Sequence, residues 1–185
     1  GIDICNANRI LDCNGSEIAG SGSGNGIKNI FLSQAYNNVL IQNCKITGYG
    51  TGIRFAGPFP DGIQFGKIKN NKITNNFEGI LFTETKNTTV EGNTISNNGN
   101  APASWGVGFF VSSDNNTITL NNITDNGNGV FLQASQFNVF SFNNISSNSF
   151  DGAYINIYSL NTSFFDNLLE NNGGNGIFVN GVPGN

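Results

Sequence analysis

Side chains that could act as acids and bases are concentrated in the first half of the chain. Every lysine and arginine lies at or before Lys86, whereas residues 87 to 185 contain acids but no base. The one local mixture of both kinds contains Arg54, Asp61 and Lys67, with Lys69, Glu78 and Glu84 nearby in sequence. Polysaccharide cleavage requires carboxylates beside a base or a cation, so Arg54, Asp61 and Lys67 are the catalytic candidates. We favour the interpretation that they are solvated surface charges. Because the chain has no histidine, a histidine-assisted mechanism is excluded.

Metal binding is not favoured by the residue types. Copper is held by His, Met or Cys side chains, and the chain has no histidine and no methionine. We expect its three cysteines, Cys5, Cys13 and Cys44, to be buried, unreactive thiols. A Cys13–Cys44 disulfide, a disulfide that includes Cys5 and a metal site are the alternatives. Turn formation explains the aspartates, with calcium binding as the alternative: Asp114, Asp125, Asp151 and Asp166. No cofactor is expected.

Aromatic side chains supply a third kind of candidate site. Phe59 and Trp105 lie in segments that interrupt the repeats of the chain. Their flat faces suit the stacking of pyranose rings, and Tyr36 and Tyr49 are further candidates. We favour the interpretation that Phe59 and Trp105 anchor their loops to the body of the protein. Most of the 16 phenylalanines are assigned to the core.

Two short phrases recur along the chain and indicate which elements position these side chains. The first is Asn-x-Ile or Asn-x-Leu followed by another asparagine, found at 71–76, 93–98, 121–126, 143–148 and, with Asp166 in first place, 166–171. The second is a glycine followed by an apolar triplet, found at 52–55, 79–82, 129–132, 152–155 and 176–179. A period of about 22 to 28 residues, built from short strand-like pieces and Asn/Gly corners, is typical of a solenoid.

Alignment of the repeats predicts columns of equivalent residues. The apolar column contains Ile18, Ile46, Ile73, Ile95, Ile123, Ile145 and Leu168. A second apolar column, five residues earlier, runs from Cys13 to Ser163, and a polar column, two residues earlier, runs from Ser16 to Asp166. Four members of the polar column are expected to form hydrogen bonds from coil to coil: Asn71, Asn93, Asn121 and Asn143.

These columns predict an all-β fold, a right-handed, single-stranded parallel β-helix of about seven coils of 22–28 residues. Each coil has about three short strands, helix is nearly absent, and residues 1–185 form one domain. Insertions at 20–26, 57–62 and 99–105 bulge from the corners as loops, where binding sites usually lie. A β-propeller is the alternative, disfavoured because a blade needs about 40 residues and four longer strands.

The repeats resemble those of a known family. Leu11-Asp-Cys-Asn-Gly15 before Ile18, then Val39-Leu-Ile-Gln-Asn-Cys-Lys-Ile46, then the Asn-x-Ile and Gly-Ile-x-Phe units look like NosD-type parallel β-helix repeat proteins. That group belongs to the pectate-lyase-like superfamily and is common in surface proteins. The resemblance covers essentially the whole chain. It implies the fold, but the same repeats serve lyases, hydrolases, epimerases, adhesins and surface-layer parts.

Composition and sequons limit the function classes. The basic footprint that nucleic-acid binding requires is absent from the C-terminal half, and no apolar run is long enough to span a membrane. N-glycosylation sequons occur at Asn14, Asn87, Asn115, Asn122, Asn144 and Asn161, which indicates an extracellular or cell-surface location.

We therefore predict a non-catalytic extracellular β-helix with a structural or surface-assembly role and with glycan contact as an option. The chain is interpreted as a segment of a longer or assembling protein. Its expected partners are copies of itself or neighbouring surface proteins, which pair with its open ends, and polysaccharide. A polysaccharide-active module is the alternative.

Overall fold

The fold consists of short parallel strands stacked into a solenoid. The computed structural model describes residues 1–30 and 36–181, and these residues form strands, turns and bends but no helix. Most coils contribute one strand to each of three long sheets, which have eight, seven and six strands. Seven stacked strands in one of these sheets correspond to about seven coils. The structure therefore confirms the parallel β-helix predicted from the repeats.

The three long sheets, here named A, B and C, are parallel throughout. Sheet A contains Ile2–Asp3, Asn25–Ile30, Thr51–Ala56, Glu78–Thr83, Trp105–Phe110, Asn128–Gln133, Ala153–Ile155 and Ile177–Val179. Sheet B contains Ile10–Asp12, Leu40–Gln42, Lys67–Lys69, Thr89–Glu91, Thr117–Thr119, Val139–Ser141 and Ser163–Phe165. Sheet C contains Glu17–Ala19, Lys45–Thr47, Lys72–Thr74, Thr94–Ser96, Asn122–Thr124 and Asn144–Ser146. Ile63–Gln64 and Thr85–Lys86 form a small fourth sheet.

The interior is filled by apolar side chains stacked coil on coil. In sheet C, Ile73 lies in register between Ile46 and Ile95, and Ile123 and Ile145 continue the column. All five are fully buried. Because successive strand residues point to opposite faces, one inward residue in each three-residue strand is enough to form such a column. The same geometry stacks Phe55, Phe82 and Phe109 inside sheet A, with ring centroids 5.2–5.9 Å apart.

The recurring glycine of the Gly-Ile-x-Phe phrase is required for space. A Cβ on Gly79 would lie 2.7 Å from Ile95 Cγ2 and 2.4 Å from the carbonyl oxygen of Gly106. The first contact is with the column of sheet C, and the second is with the next coil of sheet A. Glycine therefore allows the two sheets to meet closely at their shared corner. Gly26 and Gly106 occupy the same position, and both were missed in the alignment of the phrase.

Alanine substitutions in this glycine column test the steric requirement. We expect Gly79→Ala to reduce the free energy of unfolding by about 1–3 kcal/mol, because the added methyl has no room. Gly176→Ala is the matched control, since its Cβ would meet nothing closer than Leu169 Cβ at 3.7 Å. That control should change stability by less than about 1 kcal/mol. Chemical denaturation measures both, and equal effects of the two variants would refute the steric explanation.

A file of buried asparagines occupies the corner between sheets B and C. The side-chain amide of Asn71 donates to Asn93 Oδ1 at 3.1 Å, Asn93 to Asn121 at 2.9 Å, Asn121 to Asn143 at 3.0 Å and Asn143 to Asn167 at 2.9 Å. Each acceptor oxygen also receives the backbone N–H of the preceding asparagine, at 2.9 Å. The amides donate in addition to backbone carbonyls of the preceding coil, such as that of Ile68. The amide groups are therefore saturated although they are buried.

A second file, between sheets C and A, repeats this arrangement. It contains Asn76, Asn98, Asn126, Asn148 and Asn172, with amide-to-oxygen distances of 2.9–3.2 Å. A shorter file between sheets A and B links Thr88, Asn116 and Asn138. The last asparagine of the first four Asn-x-Ile phrases signalled the second file, but this residue was interpreted as an ordinary corner.

The residue before each file asparagine explains the Asn-Asn pairs of the sequence. Asn70, Asn75 and Asn97 have φ of 54–58°, in the left-handed region that asparagine tolerates better than most residues. The chain turns at this residue and then places the next side chain inward. Leu120 and Phe142 adopt the same φ at equivalent corners, and both side chains are exposed.

Replacement of one file asparagine tests the energetic role of the amides. Asn121→Leu removes the acceptor of two hydrogen bonds from Asn93, whose backbone N–H is buried. We expect a loss of about 3 kcal/mol or more in the free energy of unfolding, because buried donors are left unpaired. Asn100→Ala, at an exposed corner, is the control and should change stability by less than about 0.5 kcal/mol. An Asn121→Leu variant as stable as the parent protein would contradict this role.

The predicted register is wrong in the terminal coils. Phe140 pairs with Phe164 rather than Ser163, and the polar file continues into Asn167 rather than Asp166. Leu168 is consequently half exposed, whereas Leu169 packs against the core. A one-residue slip turns every side chain to the opposite face. In the first coil, Leu11 rather than Cys13 pairs with Ile41, because that corner is two residues longer; the repeat spacing could not reveal either change.

The cysteines also differ from the favoured prediction. Cys13 and Cys44 form a disulfide between the first two coils, with their Cα atoms 4.8 Å apart, and Cys5 is an exposed free thiol. Neither result fits buried free thiols; the Cys13–Cys44 alternative is correct. Cys44 N–H donates to Asn71 Oδ1 at 3.0 Å, so the disulfide takes the place of the next rung of the asparagine file. Asp12 also links these two coils, because its carboxylate accepts hydrogen bonds from the side-chain amides of Gln42 and Asn43.

Candidate functional site

The predicted catalytic residues Arg54, Asp61 and Lys67 belong to different parts of the solenoid. Arg54 lies on sheet A, Asp61 is exposed in the turn that follows that strand, and Lys67 lies on sheet B. Lys67 forms an ion pair with Glu91 at 3.4 Å. Asp61 contributes its backbone carbonyl, not its carboxylate, to a hydrogen bond from Gln64. No hydrogen bond or ion pair joins any two of these three side chains.

Arg54 instead acts electrostatically on Glu78, which lies on the neighbouring strand of sheet A and pairs in register with Thr51. Glu78 Oε2 accepts a hydrogen bond from Thr51 Oγ1 at 2.8 Å. Burial raises the pKa of the Glu78 carboxyl, although the Thr51 hydrogen bond and the positive charge of Arg54 oppose this shift. A half-buried carboxyl with a raised pKa beside a cation is the type of group that serves as a general acid. Glu78 is therefore the acid with the clearest chemical potential on this face.

Glu84 and Asp114 form a second acidic neighbourhood. Burial raises the pKa of Glu84, the charge of Lys86 lowers it, and the charge of Asp114 raises it further. Asp114 Oδ1 accepts the backbone N–H of Gln136 at 2.6 Å, which is a structural use of its carboxylate. Interactions between acids on adjacent coils were not anticipated, because the two residues occupy different columns of the alignment.

The Cys, Asp and Glu side chains, which could hold a metal ion, are dispersed over the described part of the solenoid. Within residues 1–30 and 36–181, no three of these side chains come together in a suitable arrangement. Asp151 Oδ1 accepts hydrogen bonds from the backbone and side chain of Asn175, at 2.7 and 3.0 Å, as expected for a corner residue. Calcium binding therefore stays a prediction without a defined site.

The structure separates the two predicted ligand-binding aromatics. Phe59 is 75% exposed in its loop. Trp105, which was assigned to a loop, begins a strand of sheet A and is only 9% exposed. Its indole lies over Gly108, where a Cβ would come within 2.3 Å of Nε1. The loop assignment was wrong because the glycines at 106 and 108 obscured the alternation of the strand. The indole N–H is buried and has no acceptor among the described residues.

Trp105 is part of a row of aromatic rings on the outer face of sheet A. This aromatic stripe consists of Trp105, Phe110, Phe131, Tyr154 and Phe178. Ring centroids of neighbours are 5.1–5.4 Å apart, and Phe131 stacks within 28° of Trp105, Phe110 and Tyr154. Phe110, Phe131 and Tyr154 are partly exposed, and Phe178 is 36% exposed. The stripe runs parallel to the solenoid axis over four coils.

The stripe was missed because most phenylalanines were assigned to the core. Among the described residues, four phenylalanines are fully buried, namely Phe55, Phe82, Phe109 and Phe140, and many others are exposed. The signal was present in the third position of the glycine phrase. That position points outward and is aromatic in three consecutive copies, at Phe131, Tyr154 and Phe178.

The sequon asparagines lie on the surface with one exception. Asn14, Asn87, Asn115, Asn122 and Asn161 are exposed. Asn144 is partly buried, and its side-chain amide donates to Asn122 Oδ1 at 2.8 Å. A glycan on Asn144 would replace one of the two hydrogens of this partly buried amide. Glycosylation of all these residues stays a prediction.

One cavity lies at the end of the solenoid that the first coil forms. A space of about 320 Å³ opens beside the first coil, between apolar residues such as Ile2, Ile10 and Leu11, with Cys5 and Arg9 at its edge. It is the uncovered end of the core, and Asp3, which also lines it, forms an ion pair with Lys28. No helix of the length and apolarity that a membrane crossing requires occurs in the described part of the chain.

Comparison with known proteins defines the class. The model of the family described as "Right handed beta helix region" matches residues 4–159 and, in a second match, residues 103–185. The chain therefore belongs to the right-handed β-helix family, which also confirms the predicted hand of the solenoid. No curated protein matches the chain, and no solved structure matches it.

The raised pKa of Glu78 gives a pH-dependent prediction. The folded state favours the protonated carboxyl, so its stabilising contribution is complete below about pH 4.5 and is lost as the pH rises through the pKa of the folded state. Glu78→Gln should therefore raise the melting temperature at pH 7, with a gain that shrinks below about pH 4.5. Glu170→Gln, at an exposed position, is the control. The difference in melting temperature between Glu78→Gln and the parent protein is compared at pH 4 and pH 7. A smaller gain at pH 7 than at pH 4 would contradict the assignment.

Proposed function

We propose that the chain is a non-catalytic extracellular scaffold whose outer surface contacts glycans. The observation that carries this proposal is the Cys13–Cys44 disulfide, which joins the first two coils where the asparagine file lacks a rung. Disulfides form and persist in oxidising compartments such as the cell exterior. The exposed sequons are consistent with the same location.

The buried asparagine files support a structural role. They connect every coil from Cys44 to Asn172 through saturated hydrogen bonds, and such networks make a structure rigid. Within the β-helix family, the Asn-x-Ile and Gly-Ile-x-Phe units favour the NosD-type group. We take membership of that group as part of the proposal.

The ends of the solenoid support association along its axis. Apolar side chains of the last coil are uncovered, with Ile177 at 42% and Val179 at 56% exposure, and Ile10 of the first coil is 71% exposed. Strands at such ends have free backbone groups that pair readily with another strand. A second copy or a neighbouring surface protein is the partner that we propose for these ends.

A polysaccharide-active enzyme is the second candidate, and the Glu78–Arg54 neighbourhood is the observation that favours it. General acid catalysis also needs a base or nucleophile at a defined distance from the acid. Of the predicted residues, Asp61 lies in a turn and Lys67 on sheet B, so neither joins Glu78 and Arg54 on sheet A, which supports the non-catalytic proposal.

Product formation on polysaccharides separates the two candidates. The oxidised protein is incubated with polygalacturonate, alginate and several neutral polysaccharides, and both unsaturated products and new reducing ends are measured. We expect no yield above that of heat-denatured protein. A yield that Glu78→Gln or Arg54→Ala abolishes, while Glu170→Gln retains it, would overturn the proposal in favour of the enzyme.

A further inference from the structure

The aromatic stripe is a feature of the surface that the core does not explain. Rings of four successive coils face outward on sheet A, and each ring contacts the next. Scattered single apolar residues are normal on a protein surface, whereas a contiguous apolar patch indicates a binding site. The opposite end of the same face is charged, with Lys28 paired to Asp3 at 3.2 Å and Arg54 next along the column. The aromatic character is thus confined to the second half of the solenoid.

Polar side chains lie on both sides of the stripe. Asp151 and Asn175 precede the aromatic position of their coils, while Gln133 and Asn180 follow it. Asn180 donates to the hydroxyl of Tyr154 at 2.8 Å, which fixes the orientation of that ring. Amide and carboxylate groups beside aromatic rings provide the donors and acceptors that sugar hydroxyls need, while the rings contact the apolar faces of the sugar.

The charge of this region selects among ligands. Residues 87 to 185 contain no lysine or arginine, so an acidic polymer would meet no cation on the stripe and would approach Asp151. Nucleic acids and polyuronates are therefore disfavoured. A stable protein interface buries about 800 Å² and 20–30 residues on each side, which exceeds a row of five side chains. A neutral glycan satisfies both restrictions.

The direction of the stripe defines the shape of the ligand. Its rings follow one another at 5.1–5.4 Å along the solenoid axis. An extended chain of pyranoses advances by a similar distance per residue, so successive sugars can meet successive rings. We propose that the aromatic stripe binds a neutral linear polysaccharide that lies along the solenoid axis. This inference rests on the proposed extracellular, glycan-contacting function and names the site and ligand class for it.

Affinity electrophoresis tests this site with defined probes. The protein is run through gels that contain hydroxyethyl cellulose, glucomannan or xyloglucan as neutral polymers, and polygalacturonate as the acidic counterpart. We expect retardation by at least one neutral polymer and none by polygalacturonate. Tyr154→Ala and Phe178→Ala should each weaken binding by about tenfold, as expected for loss of one aromatic contact. Phe178 is the most exposed ring of the stripe, so its substitution should leave the fold intact.

Matched controls use aromatic residues outside the stripe. Phe137→Ala and Phe142→Ala remove rings that are 50% and 55% exposed at other corners, and they should bind as the parent protein does. Melting temperatures are measured for every variant. Absence of retardation by all three neutral polymers, or unchanged binding by both stripe variants, would overturn the inference.

Other outcomes would assign the stripe to a different role. Stripe variants that lose only thermal stability would show that the rings are structural. Conversion of a dimer to a monomer by Phe178→Ala would show that a second copy covers the stripe. Either result, without glycan binding, refutes the inference but leaves the scaffold proposal intact. Polymer cleavage in the parallel assay would refute the scaffold proposal. The retardation of the stripe variants would still decide the inference on glycan binding.

Discussion

A buried asparagine amide has two donor hydrogens and an acceptor oxygen, and each of these must find a partner. At the corners of this solenoid, those partners lie on the coils before and after. Asn93 shows the pattern, since it donates to Asn121 and to the carbonyl of Ile68 while it accepts from Asn71. Its amide therefore fixes both the spacing and the rotation of three coils. The stacked isoleucines and the glycine corners depend on that register.

Because the interior sets the register, the outward side chains are not needed to align the coils. They can therefore differ from coil to coil. On sheet A the outward column changes from Lys28 and Arg54 to Phe131, Tyr154 and Phe178 over the length of the solenoid. The inward neighbours are apolar except in the coil of Lys28, where the fully buried Asn29 pairs with Phe55. A repeated core with a variable surface is the general property by which solenoids acquire binding faces. In this protein it gives one charged half and one aromatic half.

The sequence predicted those features that repeat and failed where the repeat is broken or unused. Ile73, Ile95 and Ile123 could be aligned because the same phrase surrounds each of them. The same alignment predicted the asparagine file from Asn71 to Asn143. The slip to Leu169 in the last coil could not be seen, because Leu168 and Leu169 fit the pattern equally well. The disulfide depends on a corner two residues longer than the others, which spacing alone does not reveal. The aromatic stripe could be predicted from the outward third position of the glycine phrase, which is aromatic in three consecutive copies.

Native-state hydrogen exchange of the backbone amides tests the central claim most directly. If the asparagine files hold the coils together, the amides of Asn93, Asn98, Asn121 and Asn126 should exchange only through global unfolding, with the same protection as Ile95 and Ile123. Amides of these asparagines that exchange as fast as those of the exposed corners, while the isoleucines stay protected, would contradict the account. The files would then be a consequence of the stacked core instead of its constraint.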